Sequence, residues 1–388
     1  MATTFYSASV ITPKEILPWS TVVVDDNGKI SYVGPDDQAP NITGPRINLR
    51  GKYLAPGFIE QHVHGGYGVE FSTRFDGSKL AHYSAEIVKN GITGFLAGVL
   101  GNNHQDNLDV LEMYSKAFIQ GLPGAEPLGF FMECVCVNPR RHGSAPESIL
   151  YWPTLNQVKE LVKAADGWMK MFVVAPEMPG AETIARYLCS ENVIVSLGIT
   201  AADYDTAKKA LDTTHTNIDH ICNNHETFHH RKPGTVGAAL STNRPITCEV
   251  ITDMFHLHPA TITMIIRCLG IDRVVFVSDG GKPTGLPDGI YDVLEGTITV
   301  KDYQIVLPDG TIASSASPLN RDVRLAMQQC GLTYQEAIQA VTLNPARALG
   351  FANRLGSISI GKDASLVVID EDVNVYMTII KGRILYQK

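Results

Sequence analysis

Two histidines separated by one residue could bind a metal ion in this sequence. His62-Val63-His64 follows the apolar stretch Ala55–Ile59. Side chains two residues apart lie on one face of an extended strand, so both imidazoles could reach the same ion. Imidazole nitrogens are common ligands of zinc and iron. The alternative interpretation is a polar strand end without a metal.

Two carboxylates follow other apolar runs. Glu133 comes after Leu128–Met132, and Asp279 comes after Val274–Val277. A carboxylate beside a buried strand is costly unless it is paired, hydrogen-bonded or bound to a metal. Glu133 is therefore a candidate ligand, with a salt bridge to a nearby arginine as the alternative. Asp279 is a candidate general base or metal ligand, with a turn or helix-capping role as the alternative.

A polar segment rich in His, Asn and Arg follows a third strand candidate. His220 opens it, Asn223 and Asn224 follow, and Arg231 lies a few residues downstream. The planar guanidinium of arginine suits phosphate, so this segment could hold an anionic ligand. The alternative is an exposed, solvated loop. His256 follows a further apolar run, Ile246–Ile251, and is another residue that could bind a metal or move a proton.

The elements around these residues predict an α/β fold in two parts. Apolar runs alternate with helical patterns between residues 55 and 349, which is typical of a (β/α)₈ barrel of the TIM type, where chemistry sits at the carboxyl ends of the strands. Residues 1–54 and 350–388 are strand-rich, and Asn27-Gly28 indicates a hairpin. We therefore predict one small β-sandwich domain built from both chain termini.

Composition excludes several classes of protein. The chain has 388 residues, 44% hydrophobic and 19% charged, which is typical of a folded globular protein. Its net charge of −8 and the absence of a basic cluster argue against nucleic-acid binding. No apolar run is long enough to span a membrane, and no signal peptide is recognised. Seven scattered cysteines favour a reducing compartment, so we expect a cytoplasmic protein.

Taken together, the motifs resemble the N-acetylglucosamine-6-phosphate deacetylase family of the amidohydrolase superfamily. The resemblance extends over nearly the whole chain. It rests on these matching segments: Ala55-Pro56-Gly57-Phe58-Ile59, His62-Val63-His64-Gly65-Gly66, Glu133, Val137-Asn138-Pro139, Ser196-Leu197-Gly198, His220, Asn223, Arg231, Pro233-Gly234, His256, Asp279, Asn344-Pro345-Ala346-Arg347-Ala348 and Gly361-Lys362-Asp363-Ala364.

The resemblance implies hydrolysis of the amide of an N-acetylhexosamine 6-phosphate, releasing acetate. In the family a metal held by a Glu and histidines polarises the carbonyl and activates water. Carried over, Asp279 is the general base and then the general acid, and His256 hydrogen-bonds the carbonyl oxygen. The implied substrate-binding residues are Asn223, Asn224, Arg231, His256 and His142, and the implied metal ligands are Glu133, His220, His62, His64 and Asp279. Arg231 is expected to reach the phosphate of a neighbouring subunit, which implies a homodimer.

The sequence departs from the family at a metal ligand. The family's Gly-His motif reads Gly198-Ile199 here, and isoleucine cannot bind a metal. The family's Glu-Gly-Pro-Phe motif reads Glu133-Cys134-Val135-Cys136. The expected ion is therefore a single divalent transition metal, zinc first and iron or another ion second, held mainly by His62, His64, Glu133 and Asp279. Substitution of the lost ligand by Cys134, Cys136 or His225 is an alternative.

Three functions remain open from the sequence. The first is the deacetylase with a relocated metal. The second is an amidohydrolase acting on a different N-acyl or cyclic-amide substrate. The third is a catalytically impaired homologue that binds a sugar phosphate. Metal content and acetate release distinguish them.

Overall fold

The computed structural model describes residues 2–73, 77–101, 103–294 and 296–388. Its strands are β1 (Thr3–Ile11), β2 (Ile16–Val24), β3 (Ile30–Pro35), β4 (Arg46–Asn48), β5 (Tyr53–Pro56), β6 (Phe58–Glu60), β7 (Gly65–Gly66), β8 (Val69–Glu70), β9 (Ile92–Val99), β10 (Glu126–Cys136), β11 (Met169–Val174), β12 (Ile194–Leu197), β13 (His215–Ile218), β14 (Thr247–Ile251), β15 (Val274–Val277), β16 (Gly289–Val293), β17 (Gly296–Lys301), β18 (Gln304–Val306), β19 (Ile312–Ser315), β20 (Leu366–Ile369), β21 (Val375–Ile380) and β22 (Arg383–Gln387). Its α-helices are α1 (Gly77–Ile87), α2 (His104–Gln120), α3 (Leu155–Ala164), α4 (Ala181–Ser190), α5 (Tyr204–Thr213), α6 (Gly234–Ser241), α7 (Pro259–Leu269), α8 (Leu319–Cys330), α9 (Tyr334–Ala340) and α10 (Leu343–Ala348).

Eight parallel strands form the central sheet, which confirms the predicted barrel. Their order is β6-β9-β10-β11-β12-β13-β14-β15, with each strand beside the next one along the chain. Strands β9 to β15 are almost entirely buried, as expected for parallel strands covered by helices on the outside. The helices begin at recognisable sequence signals; for example, Asn103 caps α2 by accepting a hydrogen bond from the Asp106 amide.

The two chain termini share a second sheet, as predicted. It runs in the order β22-β21-β20-β5-β1-β2-β3, with β4 beside β1. The Asn27-Gly28 turn packs directly on the turn between β21 and β22. The contact is so close that a Cβ at residue 28 would lie 2.2 Å from the Lys381 carbonyl oxygen. Glycine is therefore required there by the close approach of two backbones, and its φ of +73° adds to that requirement.

The structure differs from the sequence prediction in two places. A small antiparallel sheet, β16 to β19, is inserted after the last barrel strand and was not predicted. The helical pattern of residues 333–349 in the sequence predicts one helix, but the structure has two helices there, α9 and α10, separated at Val341 and Thr342. Pro345 explains the break, because it has no N–H to bond back to residue 341 and so belongs in the first turn of a new helix.

Among the described residues, none of the helices combines the length and the apolar character needed to cross a lipid bilayer.

Candidate metal centre

The barrel closes at the residues that carry the candidate ligands. Strands β6 and β15 end at Glu60 and Val277, before they can pair along their length. The chain beyond them completes the closure, since the Asp279 amide donates to the His62 carbonyl and the His64 amide donates to the Gly280 carbonyl, at 3.1 and 2.7 Å. The backbone at this seam therefore fixes His62, His64 and Asp279 against one another.

The two histidines both present their Nε2 atoms to one point. His62 Nδ1 donates to Glu249 Oε2 at 2.8 Å, and His64 Nδ1 donates to the Gly98 carbonyl at 3.1 Å. These bonds leave the Nε2 lone pairs free, and the two Nε2 atoms are 3.1 Å apart. Two lone pairs at that distance repel unless a cation or a proton lies between them. The arrangement is that of metal-binding histidines oriented by hydrogen bonds at the opposite nitrogen.

Two carboxylates face the same point. Asp279 Oδ1 lies 3.4 Å from His62 Nε2 and 3.3 Å from His64 Nε2. Glu133 Oε2 lies 3.2 Å from His64 Nε2. A tetrahedral zinc with bonds of about 2.0–2.1 Å separates its ligand atoms by roughly 3.3–3.4 Å. The spacing and chemistry of these four side chains therefore fit a divalent transition metal.

The other oxygen of Glu133 faces a second group of side chains. Glu133 Oε1 lies 3.1 Å from His220 Nε2, and it accepts no hydrogen bond within the described part of the chain. Asp219 Oδ2 lies 3.4 Å from the same His220 Nε2. Ligand atoms of His62, Glu133, Asp219 and His220 all lie within 4.8 Å of one another. Glu133 thus connects two adjoining groups of potential ligands.

The electrostatics of the cluster favour a cation. Burial opposes charge on His64, but the adjacent carboxylates of Asp279 and Glu133 outweigh it and raise the pKa to about 10. Burial is likewise outweighed at His220, where Asp219 and Glu133 raise the pKa to about 9. In the opposite sense, burial raises the pKa of Asp219 to about 7, despite the nearby imidazoles. The carboxylates therefore favour positive charge on the groups that face them in this largely buried space.

The cysteines and His225 do not join this cluster. Two groups of potential metal ligands occur among the described residues, and Cys134, Cys136 and His225 belong to neither group. Burial raises the pKa of the Cys136 thiol and lowers the pKa of His225 to about 3. Cys134 has a φ of +61°, a conformation that favours glycine, which accounts for the glycine that the resemblance predicts at this position.

Glu249 fixes the orientation of His62 and gives the first testable prediction. Its side chain is fully buried and also accepts hydrogen bonds from Gln61 and Asn217. Glu249→Leu is expected to weaken metal binding roughly 10- to 100-fold, because His62 loses the acceptor that keeps Nε2 free. Competition with a chromophoric chelator measures the affinity. Glu249→Gln keeps an acceptor oxygen and should bind metal nearly as tightly; equal affinities for wild type and Glu249→Leu would contradict this role.

A cleft of about 630 Å³ opens over the cluster. Among its lining residues are four of the predicted ligands and two of the predicted substrate-binding residues: His64, Glu133, His220, Asp279, His142 and Asn224. His62 lies beneath them and is fully buried. Apolar side chains of the inserted sheet, including Val293, Ile298 and Ile305, form one wall of the cleft.

The other predicted substrate-binding residues do not line this cleft. Asn223 directs its side-chain amide to the backbone carbonyls of His220 and Ile221. His256 lies after β14, where its Nδ1 donates to Asp253 at 2.7 Å. Arg231 is exposed in a tight turn and contacts the ring of His230.

Sequence reasoning missed several residues at this site. Asp219 and Glu249 are buried carboxylates of the cluster, and Asp253 positions His256. Lys282 lines the cleft and is also absent from the predicted set. The sequence contains a signal for Glu249, since an acid within the apolar run 246–251 must find a buried partner.

Comparison with known proteins gives the family. A model of the amidohydrolase family matches residues 53–385. N-acetylglucosamine-6-phosphate deacetylase of Bacillus subtilis (strain 168) is 30% identical to this chain. The alignment covers 97% of this chain and 96% of that protein. N-acetylgalactosamine-6-phosphate deacetylase of Escherichia coli O157:H7 is 30% identical, with coverages of 85% and 87%.

A solved structure has the same fold. A mutant of N-acetyl-D-glucosamine-6-phosphate deacetylase from Mycobacterium smegmatis, in complex with N-acetyl-D-glucosamine-6-phosphate, superimposes with a TM-score of 0.91 at 28% identity. The match covers 100% of this chain and 99% of that one. The protein therefore belongs to the amidohydrolase family, and its resemblance to the N-acetylglucosamine-6-phosphate deacetylases is confirmed.

Proposed function

We propose that this protein is a metal-dependent hydrolase that removes acetate from an N-acetylhexosamine 6-phosphate, with N-acetylglucosamine 6-phosphate as the first candidate substrate. The observation that carries the proposal is the convergence of His62 Nε2, His64 Nε2 and Asp279 Oδ1, 3.1–3.4 Å apart, at the base of a cleft. The deacetylases among its relatives supply the substrate class.

The metal would be held by His62, His64, Glu133 and Asp279, with His220 beside it. We propose zinc, because two imidazoles and carboxylates at tetrahedral spacing form a typical zinc site, and iron is the next candidate. A divalent ion bound there supplies Lewis acidity towards an amide carbonyl and lowers the pKa of water.

Asp279 would move the proton in this reaction. It takes a proton from water as the water oxygen attacks the carbonyl carbon, and delivers that proton to the nitrogen as the C–N bond breaks. The products are acetate and the free amine of the sugar. His256 would donate from Nε2 to the carbonyl oxygen as negative charge develops there, with Asp253 orienting the ring through Nδ1.

The phosphate would be bound at the mouth of the cleft. His142 and Asn224 line that cleft and would contact the substrate. Asn223 is adjacent to Asn224 in the sequence and is the other asparagine that we propose for substrate binding. Arg231 is exposed and is not among the residues that line the cleft of its own chain, which supports our proposal that it reaches the phosphate of a partner subunit in a homodimer.

Acetate release from N-acetylglucosamine 6-phosphate tests the function. Metal-stripped protein would be reconstituted with one and then two equivalents of zinc, and N-acetylgalactosamine 6-phosphate and unphosphorylated N-acetylglucosamine would be compared. We expect zinc-dependent acetate release, reduced at least ~10-fold in kcat/KM without the phosphate, because a charge-assisted hydrogen bond is worth about 1.5–3 kcal/mol.

Two other outcomes would contradict the proposal. Stoichiometric zinc without acetate from any of these sugars would favour a different N-acyl or cyclic-amide substrate. Absence of metal binding, combined with thermal stabilisation by the sugar phosphate, would favour a sugar-phosphate-binding protein.

We also propose that the protein works in the cytoplasm. The cysteines that the structure describes form no disulfide bonds, and three of them are buried. Free thiols persist in reducing compartments.

A further inference from the structure

Asp219 is a buried carboxylate whose charge the surrounding protein does not balance with hydrogen bonds. Its side chain is fully buried, and neither carboxylate oxygen accepts a hydrogen bond from the residues that the structure describes. Its nearest polar neighbours are His62 Nδ1 at 3.3 Å and His220 Nε2 at 3.4 Å. The single proton on His62 Nδ1 is donated to Glu249, so His62 does not supply a hydrogen bond to Asp219 Oδ1. An acid in this environment requires a cation or a proton.

Glu133 and His220, which lie next to Asp219, provide two potential metal ligands, and Asp219 would be the third. Glu133 directs Oε2 to His64 and Oε1 to His220, at 3.2 and 3.1 Å. Asp219 and Glu133 therefore both place an oxygen without a hydrogen bond close to His220 Nε2, at 3.4 and 3.1 Å. Three protein ligands are the number that open metal sites use.

The fold makes room for Asp219 at the position where a histidine is missing. Ile199 occupies the family's histidine position and lines the same cleft as Glu133 and His220. Beside it, a Cβ at Gly198 would lie 2.3 Å from Asp219 Cβ and 2.4 Å from Asp219 Oδ2. Gly198 therefore has to lack a side chain for Asp219 to occupy its present position.

We infer that Asp219, Glu133 and His220 bind a second divalent cation, with the Asp219 carboxylate replacing the imidazole that Ile199 cannot provide. The inference deepens the proposed function, because it concerns the neighbouring half of the same metal centre. Glu133 would bridge the two ions through its two oxygens. A set of two carboxylates and one imidazole is richer in oxygen than a set with two imidazoles, so this position accepts Mn²⁺ more readily than its histidine-containing counterpart would.

Metal stoichiometry and affinity test the inference without relying on activity. Stripped protein would be titrated with Mn²⁺ and with Zn²⁺ by calorimetry, and bound metal would be counted by elemental analysis after dialysis. We expect two equivalents in the wild type. Asp219→Asn should retain the first and bind the second at least ~10-fold more weakly, whereas Asp205→Asn, an exposed aspartate close in sequence, should match the wild type.

A swap variant sharpens the test. Adding Ile199→His to Asp219→Asn should restore the second equivalent of Zn²⁺ and recover Mn²⁺ binding less well, because the added ligand is now an imidazole. Two equivalents bound with unchanged affinity by Asp219→Asn would overturn the inference.

The wild type provides an independent test if the variants do not fold. Two ions bridged by Glu133 should give an exchange-coupled electron paramagnetic resonance spectrum at two equivalents of Mn²⁺. Binding of a single equivalent, with a simple six-line spectrum, would overturn the inference. In that case acetate release at one equivalent of zinc would still support the proposed function, whereas two bound ions without acetate release would support Asp219 as a ligand and contradict the proposed substrate.

Discussion

Asp279→Asn is expected to lower kcat for acetate release at least ~10³-fold while the protein still binds its first metal ion. The amide oxygen of asparagine can replace Asp279 Oδ1 beside His62 and His64, but it cannot accept and deliver a proton. General acid–base catalysis contributes about 10²–10⁴-fold, and this single group serves both proton transfers. Steady-state acetate release and elemental analysis of the same preparation measure the two properties separately.

A surface variant controls for the change of charge. Asp37→Asn removes one negative charge from an exposed residue between β3 and β4, in the sheet formed by the termini, and should leave both properties unchanged. Retention of most of the activity in Asp279→Asn would show that another group carries the proton. If Asp279→Asn lost the metal together with the activity, Asp279 would act mainly as a metal ligand, because asparagine would have failed to replace it in holding the ion.

Removing the metal with a chelator is expected to lower acetate release at least ~10³-fold and to lower Tm by about 3 °C. Glu133, Asp219 and Asp279 are gathered around three imidazoles in a space with little solvent, and a bound cation neutralises them. Binding at 100 times Kd stabilises the folded state by about 2.7 kcal/mol, which sets the expected shift. Thermal unfolding followed by circular dichroism and acetate assays measure the two effects.

Restoration by metal shows that the effect is specific. Adding zinc back should recover both Tm and activity, whereas Mg²⁺, which prefers oxygen ligands in octahedral geometry, should recover neither fully. Chelated protein that keeps its activity and its Tm would exclude a functional metal at this cluster.

The barrel and most of the side chains that meet in the cluster could be predicted from the sequence because both depend on local patterns. Each predicted ligand lies in or directly after an apolar run, and parallel strands of a barrel bring such positions to one end. His62 and His64 could be placed on one face because β6 runs directly into them. The inserted sheet has a comparable pattern in β17, where buried Ile298 and Val300 alternate with exposed polar residues, but its short strands are difficult to separate from loops.

The position of Asp219 beside His220 could not be predicted in the same way. Consecutive residues of a strand point to opposite faces, so Asp219 would have been directed away from the ligands. Strand β13 ends at Ile218, and the backbone then turns so that both side chains face Glu133. Likewise, the contacts of Glu249 with His62 and of Asp253 with His256 depend on tertiary packing and on a loop conformation that propensities do not describe.

The sheet shared by the two termini also has a consequence for the time course of folding. Strand β5 pairs with β20, and about 300 residues of chain separate them. At a synthesis rate of ~5–20 residues per second, the ribosome needs roughly 15–60 s to produce that interval. During this time the edge of β5 has no final partner and is exposed to incorrect pairing or to chaperones. The barrel seam that joins Asp279 to His62 can be completed earlier, before β20 has been made. The metal centre can therefore assemble on the nascent chain before the sheet that finishes the fold.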